Sequence, residues 1–108
     1  MSDMYSQLVN GLLADVLQYA TPSAGSTVAA AAGTTVLLLD AGGLLATLTV
    51  ALPANPTDGQ RLVIASSGII TLLSVTGGTV KGALTSLSAN GFARYAYSAQ
   101  AGAWFRTG

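Results

Sequence analysis

The residues able to do acid–base or nucleophilic chemistry are few. The chain of 108 residues contains no His, no Cys and no Glu. General acid–base work would rest on Asp40, Asp58, Lys81 or a tyrosine. Asp40 and Asp58 both stand in turn-forming stretches, Asp40-Ala41-Gly42-Gly43 and Asp58-Gly59, where Asp hydrogen-bonds the local backbone. No serine has a base in its sequence context, and no nucleophile elbow occurs. The run Gly77-Gly78-Thr79-Val80-Lys81-Gly82 lacks the spacing of a phosphate loop, and no helical pattern follows it. The Asp residues are scattered, with neither a calcium-loop spacing nor soft ligands beside them. Without a thiol, disulfides and thiolate sites are excluded. These residues describe a non-enzyme with no cofactor and no metal.

The options for binding are also narrow. Arg61, Lys81, Arg94 and Arg106 are the only cations, and four Asp residues balance them to a net charge of zero. Phosphate backbones are held by a net positive patch, so nucleic acid is not an expected partner. Carbohydrate is better served. Tyr95 and Tyr97 share one strand face and Trp104 lies beyond the next turn, a grouping that could stack on a sugar ring. The competing reading is that these aromatics bury area in a core or an interface, their commoner role.

Composition bears on the elements that carry these residues. Charged residues are 7% and apolar residues 51% of the chain, against about 25% charged in ordinary soluble domains. So little charge protects a free monomer's surface poorly. Either partners cover the outside or the chain enters a membrane. The apolar stretch 28–52 has Asp40 near its centre, which costs about 2.5–3.5 kcal/mol on insertion. Its Gly-Gly turn and its Val and Thr content also favour strands over a membrane span. Asp3, in place of a basic region, argues against a signal peptide.

At the start of the chain, Met4, Tyr5, Leu8, Val9, Leu12, Leu13, Val16 and Leu17 follow helical spacing. Ser2 suits an N-cap and Pro22 forbids continuation. This predicts an amphipathic helix over 3–19, within an N-terminal unit at 1–21. It would pack on its own domain, or anchor and self-associate through Tyr5, Leu8, Leu12 and Val16. Small residues and a proline make 22–33 a flexible linker.

From Thr34 the period becomes two, and 34–108 reads as one β domain. Strands are expected at 34–39, 45–52, 60–66, 69–75, 79–81, 84–88, 92–98 and 103–106. Between 52 and 60, Pro53, Pro56 and Asp58-Gly59 force the chain out of a sheet and turn it. Asn90-Gly91 is the strongest hairpin signal. The expected fold is mainly β: an antiparallel, jelly-roll-like β-sandwich of about seven to eight short strands behind one N-terminal helix. The stretches 36–39, 62–65 and 69–75 are apolar on both faces. A lone antiparallel sandwich keeps its outer face polar, so a second copy is expected to cover them. Leu38, Ile70, Leu72 and Tyr97 are the expected subunit interface. The segments TVLLLDAGGLLATL and ITLLSVTGGTVKGAL both place Gly-Gly after an apolar strand, and read as recurring hairpins, not as a solenoid repeat.

One resemblance follows from these residues. Leu52-Pro53, Pro56, Asp58-Gly59-Gln60, the Ile/Val strand after them and the closing Trp104-Phe105-Arg106-Thr107-Gly108 form one pattern. Over 45–108 this pattern resembles the small β modules of tailed-phage virion proteins. Those modules occur in head fibres, capsid decoration (cement) proteins and tail-fibre segments, commonly as homotrimers. The resemblance implies a homotrimer on the capsid surface that binds the major capsid protein and stabilises the shell. The alternative it implies is a tail-fibre or fibre-tip module holding a host-surface glycan through Tyr95, Tyr97 and Trp104.

Overall fold

The computed structural model describes residues 16–108, which form nine strands and, among the described residues, no helix. The strands are β1 (Leu17–Ala20), β2 (Thr27–Ala29), β3 (Val36–Leu39), β4 (Leu45–Ala51), β5 (Arg61–Ser66), β6 (Ile70–Thr76), β7 (Val80–Lys81), β8 (Phe92–Ser98) and β9 (Ala103–Arg106). The first six alternate between two sheets. β1, β3 and β5 lie side by side and parallel in one sheet; β2, β4 and β6 do the same in the other. The chain therefore winds as three stacked coils in a solenoid-like arrangement. The first sheet continues through β8, β9 and β7 to six strands, ordered β1-β3-β5-β8-β9-β7.

Stacking in register puts like residues over like, and this builds the core. Val28, Val50 and Val75 form one inward column, Leu48 and Leu73 a second, and Leu45 and Ile70 a third. From the opposite sheet, Leu37 and Ile64 project inward, fully buried. β4 and β6 share an irregularity: Ala46-Thr47 and Thr71-Leu72 are consecutive exposed residues at the same level, so both strands bend there. The antiparallel pair β8 and β9 brings Tyr95 and Trp104 into the same core. Beside them, Ile70 and Leu87 exchange backbone hydrogen bonds of 2.9 Å, which covers the free edge of β6.

The expected antiparallel sandwich is thus overturned by the parallel ladders. Alternation says which face a residue takes, but it does not name the neighbouring strand. The expected helix is overturned at its C-terminal end, because Leu17–Ala20 is β1, paired with β3. The rest of that helix lies outside the described residues. Residues 27–29, within the expected linker, are β2. Residues 84–88 contribute a single bridge and no strand. Asn90-Gly91 does turn the chain, with Asn90 at φ 59°, but β8 leaves it to pair with β5 and β9. The segment 52–60 leaves one sheet as its prolines require, and delivers the chain to the other sheet. The two echoed segments, β3–β4 and β6–β7, do not stack on each other; the coils that stack are β3–β4 on β5–β6, and the Gly-Gly turns are corners between the sheets, not hairpins.

Candidate functional site

The two outer faces differ in chemistry. Outside the three-stranded sheet, the rows are Thr27–Thr49–Ser74 and Ala29–Ala51–Thr76. Outside the six-stranded sheet, they are Leu17–Val36–Val63–Arg94 and Tyr19–Leu38–Ala65–Phe92. Leu17 is 63%, Tyr19 62% and Phe92 49% exposed. A third outward row runs Arg61–Ala96–Phe105–Lys81. Strand alternation produces this face: the residues between, Leu37, Leu39, Leu62 and Ile64, fill the core.

A trough of about 400 Å³ lies in this face, floored by Leu38 and Ala65 and walled by Tyr19 and Phe92, with Asp40 and Asn90 at its end. Asp40 and Ser67 occupy matching corner positions of successive coils. The Asp40 N–H donates to the Ala20 carbonyl at 2.8 Å, and the Ser67 N–H donates to the Leu39 carbonyl at 3.0 Å. The Tyr19 hydroxyl donates to Asp40 Oδ2 at 2.5 Å and the Ser67 hydroxyl donates to Asp40 Oδ1 at 2.9 Å. These bonds, Tyr19 first, hold the Asp40 carboxyl below the usual carboxylate range. The same bond, with lesser help from burial and the Asp40 charge, raises the Tyr19 phenol. Hydroxyls, and among the described residues no cation, account for the charged state of Asp40. On the far wall, the Arg94 guanidinium sits 5.0 Å from the centre of the Phe92 ring. An ionised carboxylate at the end of an apolar trough is arranged to receive a cation with an aliphatic stem. The titratable group beside it is Tyr19, whose hydroxyl proton is held in the bond to Asp40.

The residues singled out in the sequence are dispersed. Tyr5, Leu8 and Leu12 lie outside the described residues. Val16 is exposed, and its carbonyl accepts from the Thr35 and Val36 N–H groups as the chain enters β1. Leu38 lies in the trough. Ile70 is fully buried in the chain's own core and has no surface to offer a subunit interface. Leu72 is exposed on the other sheet. Tyr97 packs against Trp104, their ring centres 5.4 Å apart. Tyr95 and Trp104 are each 1% exposed, so the three aromatics form no surface platform for a sugar. Asp58 is a turn residue, its Oδ1 accepting from the Ala99 N–H at 2.9 Å.

Sequence reasoning missed Tyr19 and Phe92 as site residues, and weighed Asp40 as an acid or base before reading it as a turn residue. The available signal was the alternation of Leu17 and Tyr19 with Gln18 and Ala20. Among the described residues, no group of three or more metal-ligating side chains comes together, and no helix is long and apolar enough to cross a membrane. No protein-family model matches the chain, and no curated protein matches it.

Proposed function

We propose that this chain is a structural virion protein: a capsid decoration, cement or head-fibre subunit that acts as a homotrimer on the capsid surface. In this reading it binds the major capsid protein and stabilises the shell. The observation that carries it is the contrast between the two outer faces. One is mostly Thr, Ser and Ala, with Leu72 exposed beside Thr47; the other exposes Leu17, Tyr19, Phe92 and Phe105 around a Val and Leu strip. Contiguous apolar surface of this kind marks an interaction site, and obligate interfaces between copies are apolar in this way. The virion assignment draws on the resemblance over 45–108. The fibre-tip alternative loses its sugar platform with the burial of Tyr95 and Trp104.

The test has two parts. Light scattering of the purified chain should give three chain masses. Mass spectrometry of purified particles should find the chain in the head fraction, at a fixed ratio to the major capsid protein. A monomer at all concentrations, or absence from particles, would overturn the proposal.

A further inference from the structure

We propose that the Tyr19–Phe92 trough is filled by a second copy of this chain, whose Arg61–Lys81 row brings a cation to Asp40. This rests on the self-association reading above and specifies its contact. The apolar rows lie in the middle of the six-stranded face, with Arg94 among them over Phe92, and its other charges, Asp40 on one side and Arg61 and Lys81 on the other, lie at opposite ends. Asp40 follows the last residue of β3, beside Tyr19. Arg61 begins β5, and Lys81 shares its row across the sheet, with Ala96 and Phe105 between them. The face is therefore acidic at one end and basic at the other, and between them it is apolar except for Arg94, which is stacked on Phe92.

Such a face is complementary to itself when the acidic end of one copy meets the basic end of the next. Closed rings are built from head-to-tail contacts of this kind. Asp40 is suited to the contact. Tyr19 and Ser67 each occupy one of its oxygens, fix its rotamer and leave further acceptor sites open. Among the described residues, Asp40 has hydroxyl donors and no cation behind its charged state. Phe92 already carries Arg94, which leaves the Tyr19 wall to an arriving cation. At the basic end, Asp58 is the nearby acid in sequence, and its Oδ1 is engaged by the Ala99 N–H. A Lys or Arg from the next copy would lay its aliphatic stem on Leu38 and Ala65 and its charge on Asp40.

The test is charge reversal read by sedimentation equilibrium, with circular dichroism confirming the β fold of each variant. Asp40→Lys alone, and Arg61→Asp with Lys81→Asp in one chain, should each weaken self-association by at least about tenfold. Combining all three substitutions in one chain should recover most of that loss, because every contact in the ring is then reversed together. Asp40→Asn keeps an acceptor for Tyr19. It should weaken association several-fold even if Asp40→Lys disturbs the corner. A wild-type chain that associates while the reversals leave its affinity unchanged would overturn this contact and leave the function standing. Failure of the combined chain to recover, with its fold intact, would also overturn the contact. A wild-type chain that stays monomeric would overturn both.

Discussion

Gln18 in β1 stands directly over Leu37 in β3, at the same inward level of successive coils. Below them the column continues through Ile64 in β5 and Ala93 in β8. The first coil thus ends an aliphatic column with an amide. That amide ties the two sheets together at the first of the described coils. Its Nε2 donates to the Ala29 carbonyl at 2.8 Å, and its Oε1 accepts from the Ala31 N–H at 2.8 Å and the Thr34 hydroxyl at 3.2 Å. Among the described residues no further coil covers this one, and a polar cap of this kind suits the terminal repeat of a solenoid.

Gln18→Ala should therefore destabilise the fold by about 1–3 kcal/mol, the sum of a few modest hydrogen bonds in a half-exposed site. Urea unfolding checks this. Hydrogen exchange should show the loss concentrated at Ala31 and the β1–β3 ladder, with β8 and β9 little affected.

The Tyr19–Asp40 bond sets the pH response of the first corner. Asp40 is depressed in the folded chain, so its contribution is present above the ordinary carboxylate range and lost as pH falls through its folded value. Tyr19 is raised, so its contribution is present below the ordinary phenol range and lost as pH rises through its folded value. The bond stabilises the fold across the neutral range and weakens at both extremes. In Tyr19→Phe, an NMR titration of the Asp40 carboxyl carbon should move up toward the ordinary range. It should stop short of that range, because the Ser67 bond remains. An unmoved titration would mean that the hydroxyl is not the main cause.

The corners approach each other closely at one glycine. A Cβ on Gly68 would lie 2.8 Å from the Gly43 carbonyl oxygen and 3.3 Å from Ala41 Cβ. Backbone is in the way, so the coils would have to separate. Gly68→Ala should cost about 1–3 kcal/mol, as overpacking does. Gly42→Ala, in the corner above, meets nothing within 4 Å and should be nearly neutral. Thermal melts of the pair give the comparison directly.

Tyr95 shows what the C-terminal aromatics do. Its hydroxyl accepts from the Leu84 N–H at 3.1 Å, which holds the 84–88 segment over the core. Tyr95→Phe keeps the ring and removes the acceptor. The cost should be about 1 kcal/mol, that of an unmade hydrogen bond in a part-buried site. Faster exchange of the Leu84 amide in this variant would confirm the cause.

Much of the strand content was legible in the sequence, because short runs with Val, Thr, Phe and Tyr mark 36–39, 45–51 and 92–98 whatever their partners. The partners were not legible. A Gly-Gly turn serves a coil corner as well as a hairpin, and Asp40-Ala41-Gly42-Gly43 reads the same in both. Val16 and Leu17 also continue the helical spacing set by Leu12 and Leu13, so the sequence places Tyr19 in a helix. Tyr19, Asp40 and Ser67 belong to three different coils, and only the parallel register brings them together.

Leu38 and Leu72 separate the two outer faces most directly. Leu38 is half-buried in the trough of the six-stranded sheet, among Tyr19, Ala65 and Phe92. Leu72 stands exposed on the three-stranded sheet, beside Thr47. Neither fills the core, so Asp at either position should leave the monomer folded. If copies meet on the six-stranded face, Leu38→Asp removes an apolar contact worth about 1.5–3 kcal/mol per interface. It should then weaken association by about tenfold or more, a factor of ten being about 1.4 kcal/mol. Leu72→Asp should leave the solution mass unchanged. The reverse pattern, with loss only at Leu72, would move the interface to the Thr and Ser face and remove the ground for assigning a partner to the trough.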